Sequence, residues 1–335
     1  MTAIVVLGST NMDLVAYVDR APRRGETVTG RAFRTVPGGK GANQAVAAAR
    51  AGGTVAMIGA VGTDPFGPRL RHTLEASGVD TDLLHTADGP SGTAHVVVDD
   101  EGGNAIVVVP GANGSVTALG PGDEALIATA DTLLLQLELP LSAVVEAAGT
   151  ARRHGVRTVL TPAPARPLPP PLLATVDLLV PNEHEATLLT GLTDPGAAAD
   201  ALLGRVPRVV ITLGARGCLY ADRDGTRLTV PAPRVTAVDT TAAGDAFTGA
   251  LAVALGEGRP VESALRWATC AAALCVGREG ASVSMPYRPE IDTAYATTAP
   301  ADSSLATLSA GTPAASAGTP SVPVSESDPE IGSAS

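Results

Sequence analysis

Aromatic side chains are almost missing: Phe, Trp and Tyr together make up 2% of the 335 residues. A chain this poor in rings offers no stacking platform for nucleic-acid bases, so its core must be built from Val, Leu, Ile and Ala. The 45% hydrophobic content is ample for that. Basic charge is also scarce, with 23 Lys and Arg against 34 Asp and Glu and a formal net charge of -11. Without a cationic patch, neither a nucleic acid nor an anionic membrane surface is the expected partner. An acidic protein that binds an anion must do so locally, with backbone N–H groups and metal ions.

Cysteine is limited to Cys218, Cys270 and Cys275, without CxxC spacing and in apolar or Ala-rich surroundings. These read as reduced core thiols rather than a disulfide or zinc framework. His72, His85, His154 and His184 show no metal-ligand spacing, and His95, alternating with apolar residues, reads as a surface or interface residue. No apolar run reaches membrane-spanning length, and the N-terminal segment lacks a basic leader region. A cytoplasmic location is the expectation.

What is present alternates. Nearly continuous apolar runs at 3–8, 54–62, 132–138, 156–160, 176–182 and 208–214 read as strands covered on both faces. Helical segments are expected at 40–51, 64–77, 141–154 and 183–190, each followed by Gly. That order predicts an α/β fold with a central, mostly parallel sheet between helical layers. Two regions, about 12–36 and 92–109, break the pattern and predict a small antiparallel β lid; in "TAHVVVDDEGGNAIVVVPG", Asp99 to Gly103 forms the turn. The expected organisation is therefore one domain over 1–292 with inserted lid segments, then a Ser, Thr, Ala and Pro-rich tail over 293–335 expected to be disordered.

Two glycine-rich segments carry the chemistry. "VPGGKGANQAVAAARAG" (36–52) places Gly38, Gly39 and Gly41 before an Ala-rich helix, bringing Lys40, Asn43 and Gln44 to its first turns. It can be a polar cradle for a hydroxylated or anionic ligand, or a tight turn with a solvated lysine. It is not a phosphate-binding GxxxxGK[ST] loop, because Gly41 follows Lys40. In "DTTAAGDAFTGAL" (239–251), Asp245 falls in the first turn of a helix, where the dipole favours a carboxylate. Simple capping is one reading, although Thr240 or Thr241 could already serve as the cap. The other reading uses the small side chains, which leave the N–H groups of Ala242, Ala243 and Gly244 open to an anion beside the acid. A base next to an anion site suits phosphoryl transfer.

These segments, with "VVLGSTNMDLV" (5–15) and "PNEHEA" (181–186), occur in an order and spacing that resembles the PfkB, or ribokinase-like, carbohydrate kinases over about residues 3–292. The resemblance implies the three-layer fold of that family and ATP-dependent phosphorylation of D-ribose at O5. It implies a sugar site at Asn11, Asp13, Gly39, Lys40, Asn43 and Glu138. Asp245 would be the general base, with Ala242, Ala243 and Gly244 as the anion hole. Asn182, Thr212, Gly214, Gly244 and Thr269 would bind the nucleotide, and Glu185 would position Mg²⁺ through water. A K⁺ ion would be held by Asp239, Thr241, Val276, Gly280 and Ser284, and a homodimer would form through the β lid.

Two positions depart from the family pattern. Thr269 stands where His or Asn is common beside the adenine, and Thr161 replaces the usual Asn near the phosphates. Neither departure removes a catalytic group. Alternatives are a related kinase acting on 2-deoxyribose or another pentose or nucleoside, and a non-catalytic sugar-binding protein that keeps the fold.

Overall fold

The computed structural model describes residues 1–101 and 103–298. Strand β1 (Ala3–Leu7) leads into β2 (Asn11–Tyr17) and β3 (Ala32–Gly38), and helix α1 (Lys40–Arg50) returns the chain to β4 (Thr54–Gly62). Helix α2 (Phe66–Ala76), short strands β5 (Val79–Asp80) and β6 (Leu84–Ala87), and the hairpin β7 (Gly92–Val98) and β8 (Asn104–Val109) follow. After α3 (Asp123–Ala128) come β9 (Thr132–Leu135), α4 (Leu141–His154), β10 (Arg157–Leu160), α5 (Pro170–Leu173) and β11 (Leu178–Leu179). Next are α6 (Glu183–Thr190), α7 (Pro195–Leu203), β12 (Arg208–Thr212), β13 (Cys218–Asp222) and β14 (Arg227–Val230). Helices α8 (Ala243–Gly256), α9 (Val261–Val276) and α10 (Arg288–Thr298) close the described chain.

The large sheet has the order β14-β13-β12-β11-β10-β9-β1-β4-β5, with β6 paired to β4 beyond the end of β5. Pairing is parallel from β12 to β5 and antiparallel only in β12-β13-β14. Because strand side chains alternate, each strand feeds two cores. On one face Ile4, Val6, Leu134 and Val159 pack with α1, α8 and α9. On the other, Val5, Leu7, Leu133, Leu135 and Ile211 pack with α4 and α7. This is the expected α/β architecture with both sheet faces covered.

Strand β11 is only two residues long, shorter than its apolar run of 176–182 predicts. Asp177 turns its side chain back to accept from the Thr158 N–H at 2.8 Å, Pro181 has no N–H to donate, and Asn182 already caps α6. Helix α10 corrects the expected start of the tail, since residues 293–298 continue the helix and Ile291 and Tyr295 pack into the core. The remainder of the expected disordered tail, 299–335, lies outside the described residues.

The lid is a four-stranded sheet of order β3-β2-β7-β8. Its outer pairs are antiparallel, as expected, and they are joined by a parallel seam between β2 and β7 that sets Asn11 beside Gly92. In the β7–β8 turn the Asp99 carboxylate accepts from the N–H groups of Glu101 and Gly103 at 3.1 and 2.7 Å.

Candidate active site

The N-terminus of α8 lies where the lid and the large sheet meet. Neither Thr240 nor Thr241 caps the helix, contrary to the sequence expectation: the N-cap is Ala242, with φ 62°, and no side chain bonds the first turn. The Thr241 N–H is instead taken by Asp239 Oδ1 at 2.9 Å, which holds the threonine outside the helix. Among the described residues, no acceptor is bonded to the N–H groups of Gly244 or Asp245, and Ala243 N–H has only a long contact of 3.4 Å to Thr240 O. The helix end is therefore open to an anion.

Asp245 is only 7% exposed. Its carboxylate accepts from Asn43 Nδ2 at 3.1 Å and from Gln44 Nε2 at 3.0 Å, both on α1. Desolvation pushes its pKa up to about 6; Lys40 and the two amides oppose that rise, and Glu138 adds to it. The glycine segment brings these groups together. Gly39, at φ 92°, caps α1, and a Cβ on Gly41 would lie 2.5 Å from the Gly8 backbone, so α1 starts pressed against the end of β1.

Around Lys40 the charges are dense. Burial works against its charge, but Asp245, Glu138, Glu185 and Asp13 outweigh burial and hold its pKa above the ordinary lysine value. Asp13 is pushed up to about 7 by desolvation and by the Glu138 carboxylate, with Lys40 opposing. Glu138 accepts from Ser9 Oγ at 2.5 Å and from the Lys40 N–H at 3.0 Å. Lys40 is half-buried among four carboxylates and lines the cavities rather than open solvent, so the solvated-turn reading is set aside.

Three cavities converge on this point. One of about 730 Å³ under the lid is lined by Asn11, Asp13, Gly39, Lys40, Asn43, Glu138 and Asp245. One of about 700 Å³ on the other side is lined by Asn182, Thr212, Gly214, Gly244 and Thr269, with apolar walls from Phe247, Ala272 and Val276. A polar pocket of about 150 Å³ joins them and is bounded by Lys40, Thr161, Asn182, Glu185, Ala242, Ala243, Gly244 and Asp245. The sequence motifs thus sort into two chambers and the passage between them.

Asn182 and Glu185 form a reciprocal capping box: Asn182 Oδ1 accepts from Glu185 N at 2.8 Å, and Glu185 Oε2 accepts from Asn182 N at 2.9 Å. The pair therefore has a structural role, and it still leaves Glu185 Oε1 without a hydrogen bond among the described residues. A free carboxylate oxygen is a hard donor of the kind Mg²⁺ takes, directly or through a bound water. No group of three or more His, Cys, Asp or Glu side chains that could hold a metal occurs among the described residues. Glu183, its side chain 40% exposed, pairs with Arg216 at the surface.

The five residues expected to hold a monovalent cation are gathered into one loop cluster beside the helix end. Asp239 Oδ2 accepts from Gly280 N at 3.0 Å, and Cys275 Sγ lies 3.1 Å from Ser284 Oγ and 3.8 Å from Thr241 O. Oxygen donors of this type suit a hard cation. Val276 fits least well, because its carbonyl already accepts from Val238 and Asp239 N–H at 2.8 and 3.2 Å.

Sequence reasoning did not assign Gln136, Ser9, Asn113 or Ser282. Ser282 Oγ donates to Asn43 Oδ1 at 2.7 Å, and Asn113 Nδ2 donates to Asn11 Oδ1 at 2.8 Å. The one available signal was a polar residue inside an apolar strand run, Gln136 in "LLLQLE". The three cysteines are buried and free, and Trp267 is a core residue stacked by Arg259 and Arg288. No helix among the described residues is long and apolar enough to cross a membrane.

A sheet with ligand chambers at the ends of its strands, a β lid and an open helix end beside a buried acid defines a sugar-kinase class of protein. The chain belongs to the pfkB family of carbohydrate kinases, whose family model matches residues 1–288. It is 44% identical to the ribokinase of Bacillus subtilis over 300 residues, 87% of this chain and 99% of the relative. It is 41% identical to the ribokinase of Schizosaccharomyces pombe, over 88% of this chain and 98% of the relative. Among solved structures it is similar to Arabidopsis thaliana ribokinase complexed with ribose and ATP, with a TM-score of 0.83 and 33% identity, covering 88% of this chain and 99% of that one.

Proposed function

We propose that this protein catalyses ATP-dependent phosphorylation of D-ribose at O5. The observation that carries the reading is the passage at Asp245, where the two large cavities meet at an open helix end. Ribose occupies the chamber under the lid, its hydroxyls held by Asn11, Asp13, Gly39, Lys40, Asn43 and Glu138. ATP lies in the opposite chamber against Asn182, Thr212, Gly214 and Thr269. Asp245 takes the O5 proton as the O5–phosphorus bond forms and the bond from the γ-phosphorus to the β,γ-bridging oxygen breaks, releasing ADP. The N–H groups of Ala242, Ala243 and Gly244, at the turn into α8, receive the charge on the transferred phosphoryl.

Glu185 would hold Mg²⁺ through water, and Asp239, Thr241, Val276, Gly280 and Ser284 would hold K⁺. Bound there, the cations supply positive charge against the phosphates, which an acidic chain otherwise lacks. Ligand closure by the lid excludes water and limits ATP hydrolysis. The lid also supports a homodimer, since all six residues of edge strand β8 are exposed, Ile106, Val107, Val108 and Val109 among them. The three free thiols and the use of ATP agree with a cytoplasmic site of action.

One observation favours a second reading: the lid chamber, at about 730 Å³, is large enough for an acceptor bigger than a pentose, such as a nucleoside. Steady-state kcat/KM for ribose, 2-deoxyribose, fructose and adenosine, with and without K⁺, tests both. Preference for ribose supports the main reading. Equal or better use of another acceptor overturns it, and absence of any sugar-dependent ADP formation would point to a binding protein.

A further inference from the structure

Gln44 is fully buried, and it lines none of the three cavities. It therefore cannot belong to the ligand cradle in which its position after Asn43 places it. Its side chain is held at both ends. Nε2 donates to Asp245 Oδ1 at 3.0 Å and lies 3.3 Å from Thr161 Oγ1, while Oε1 accepts from Gln136 Nε2 at 2.7 Å. Gln136 reaches it from the residue after β9, on the sheet face that α1 covers, and is itself 2% exposed.

The direction of the chain of bonds is determined. An ionised carboxylate only accepts, so Gln44 must present its amide nitrogen to Asp245, and its oxygen must face away. Gln136 supplies the donor that keeps it so. That arrangement leaves Gln136 Oε1 buried with no hydrogen-bond partner among the described residues. Gly8 makes room for this oxygen, since a Cβ there would lie 2.3 Å from it. A core selected for stability alone would hold an apolar side chain here; an unpaired buried oxygen marks a functional constraint.

We propose that Gln136 and Gln44 form a positioning relay that fixes the Asp245 carboxylate towards the acceptor hydroxyl, with Thr161 taking the second Gln44 proton. The inference rests on the reading of Asp245 as the general base. Thr161 thereby has a role that an Asn at that position would fill with its side-chain oxygen.

The pH dependence of kcat separates this from a merely structural role. Asp245 is faced by Lys40 from α1, Glu138 beyond β9, Asp13 from β2 and the Cys275 thiol from α9. None of these is altered by a change at Gln44 or Gln136. Loss of a donor to the ionised carboxylate raises its pKa, so the acid limb of the profile moves to higher pH. For Gln44→Met we expect kcat at pH 7 to fall roughly 10- to 100-fold with the ribose KM within about threefold, and the limb to shift upward. Gln136→Met, which leaves the Gln44 amide free to turn, shifts the limb the same way by less, and it carries the test if Gln44→Met does not fold. Superimposable acid limbs and kcat within about twofold for the folded variants overturn the relay. Asp245→Asn run alongside separates the two failures. An active Asp245→Asn removes the base assignment and the relay with it; an inactive one beside unshifted glutamine variants removes the relay alone.

Discussion

Gly249 of α8 lies against Ala47 of α1 so closely that a Cβ at 249 would come within 2.7 Å of the alanine methyl and 2.8 Å of the Gln44 carbonyl. The absence of a side chain lets the two helices cross near enough for α1 to set its amides on Asp245. Gly249→Ala must therefore push the helices apart or distort one of them. We expect a loss of about 1–3 kcal/mol, the range for overpacking a filled core, although Ala is the better helix former. Turnover should fall as well, because the displacement stretches the Gln44 to Asp245 bond. Thermal unfolding and kcat on the same preparation check this, and an unchanged melting temperature would show that the crossing has slack.

Asp13 predicts a stability that depends on pH in the direction opposite to that of a salt-bridged acid. Its folded pKa lies near 7, above the ordinary value of 3.8. Below about pH 4 it is protonated in both folded and unfolded chains and contributes no penalty. As pH rises towards 7 the unfolded chain ionises freely while the folded one resists, and above 7 the penalty is complete. Asp13→Asn should then stabilise the protein at pH 8 by on the order of 2 kcal/mol, a melting-temperature rise of about 4 °C, allowing for its partial exposure. At pH 4 the two proteins should melt together. A gain of equal size at both pH values would assign the effect to packing instead.

Ala242 is the one non-glycine residue with positive φ among the described residues, at 62°, and it stands at the N-cap of α8. An L side chain there costs roughly 1–2 kcal/mol, and a β-branched one more. Glycine relieves the strain but adds about 0.5–1 kcal/mol of unfolded-chain entropy, so the two effects nearly cancel. The expected order of stability is Gly at least equal to Ala, and both above Val by about 2 kcal/mol or more. Urea midpoints for Ala242→Gly and Ala242→Val give the order directly, and a valine variant as stable as the parent would refute the strain.

Much of this arrangement is legible in one dimension because it depends on local pattern. The apolar runs that hold β1, β9 and β10 are covered on both sides by helices, and they read as central strands. Gly155 and Gly191 close α4 and α6 at the expected residues, with φ of 72° and 76°. What could not be read depends on pairing across long separations. Nothing local tells Asn11 that Gly92 will lie beside it in a parallel seam. Gln44 and Gln136 are 92 residues apart, and each alone looks like an ordinary polar residue. Thr240 and Thr241 have the chemistry of helix caps, and they lose that role because Asp239 claims the Thr241 N–H.

Thr269 bears on the choice of nucleotide. It is 5% exposed, and its hydroxyl donates to the Arg266 carbonyl at 2.7 Å within its own helix, so its proton is not available to a base edge. The walls around it, Phe247, Ala272, Ala273 and Val276, are apolar. An apolar slot discriminates weakly between planar rings of similar size, whereas a site that pairs with a ring nitrogen or exocyclic amine rejects the wrong base by leaving a buried group unsatisfied. We therefore expect kcat/KM for GTP within about tenfold of that for ATP. Replacing Thr269 by Asn, whose amide reaches beyond the helix and carries both a donor and an acceptor, should widen the gap in favour of one base. A parent enzyme that already prefers ATP by more than about a hundredfold would mean that another group reads the adenine edge. Arg234, the cationic side chain lining the same chamber, would then be the first to replace.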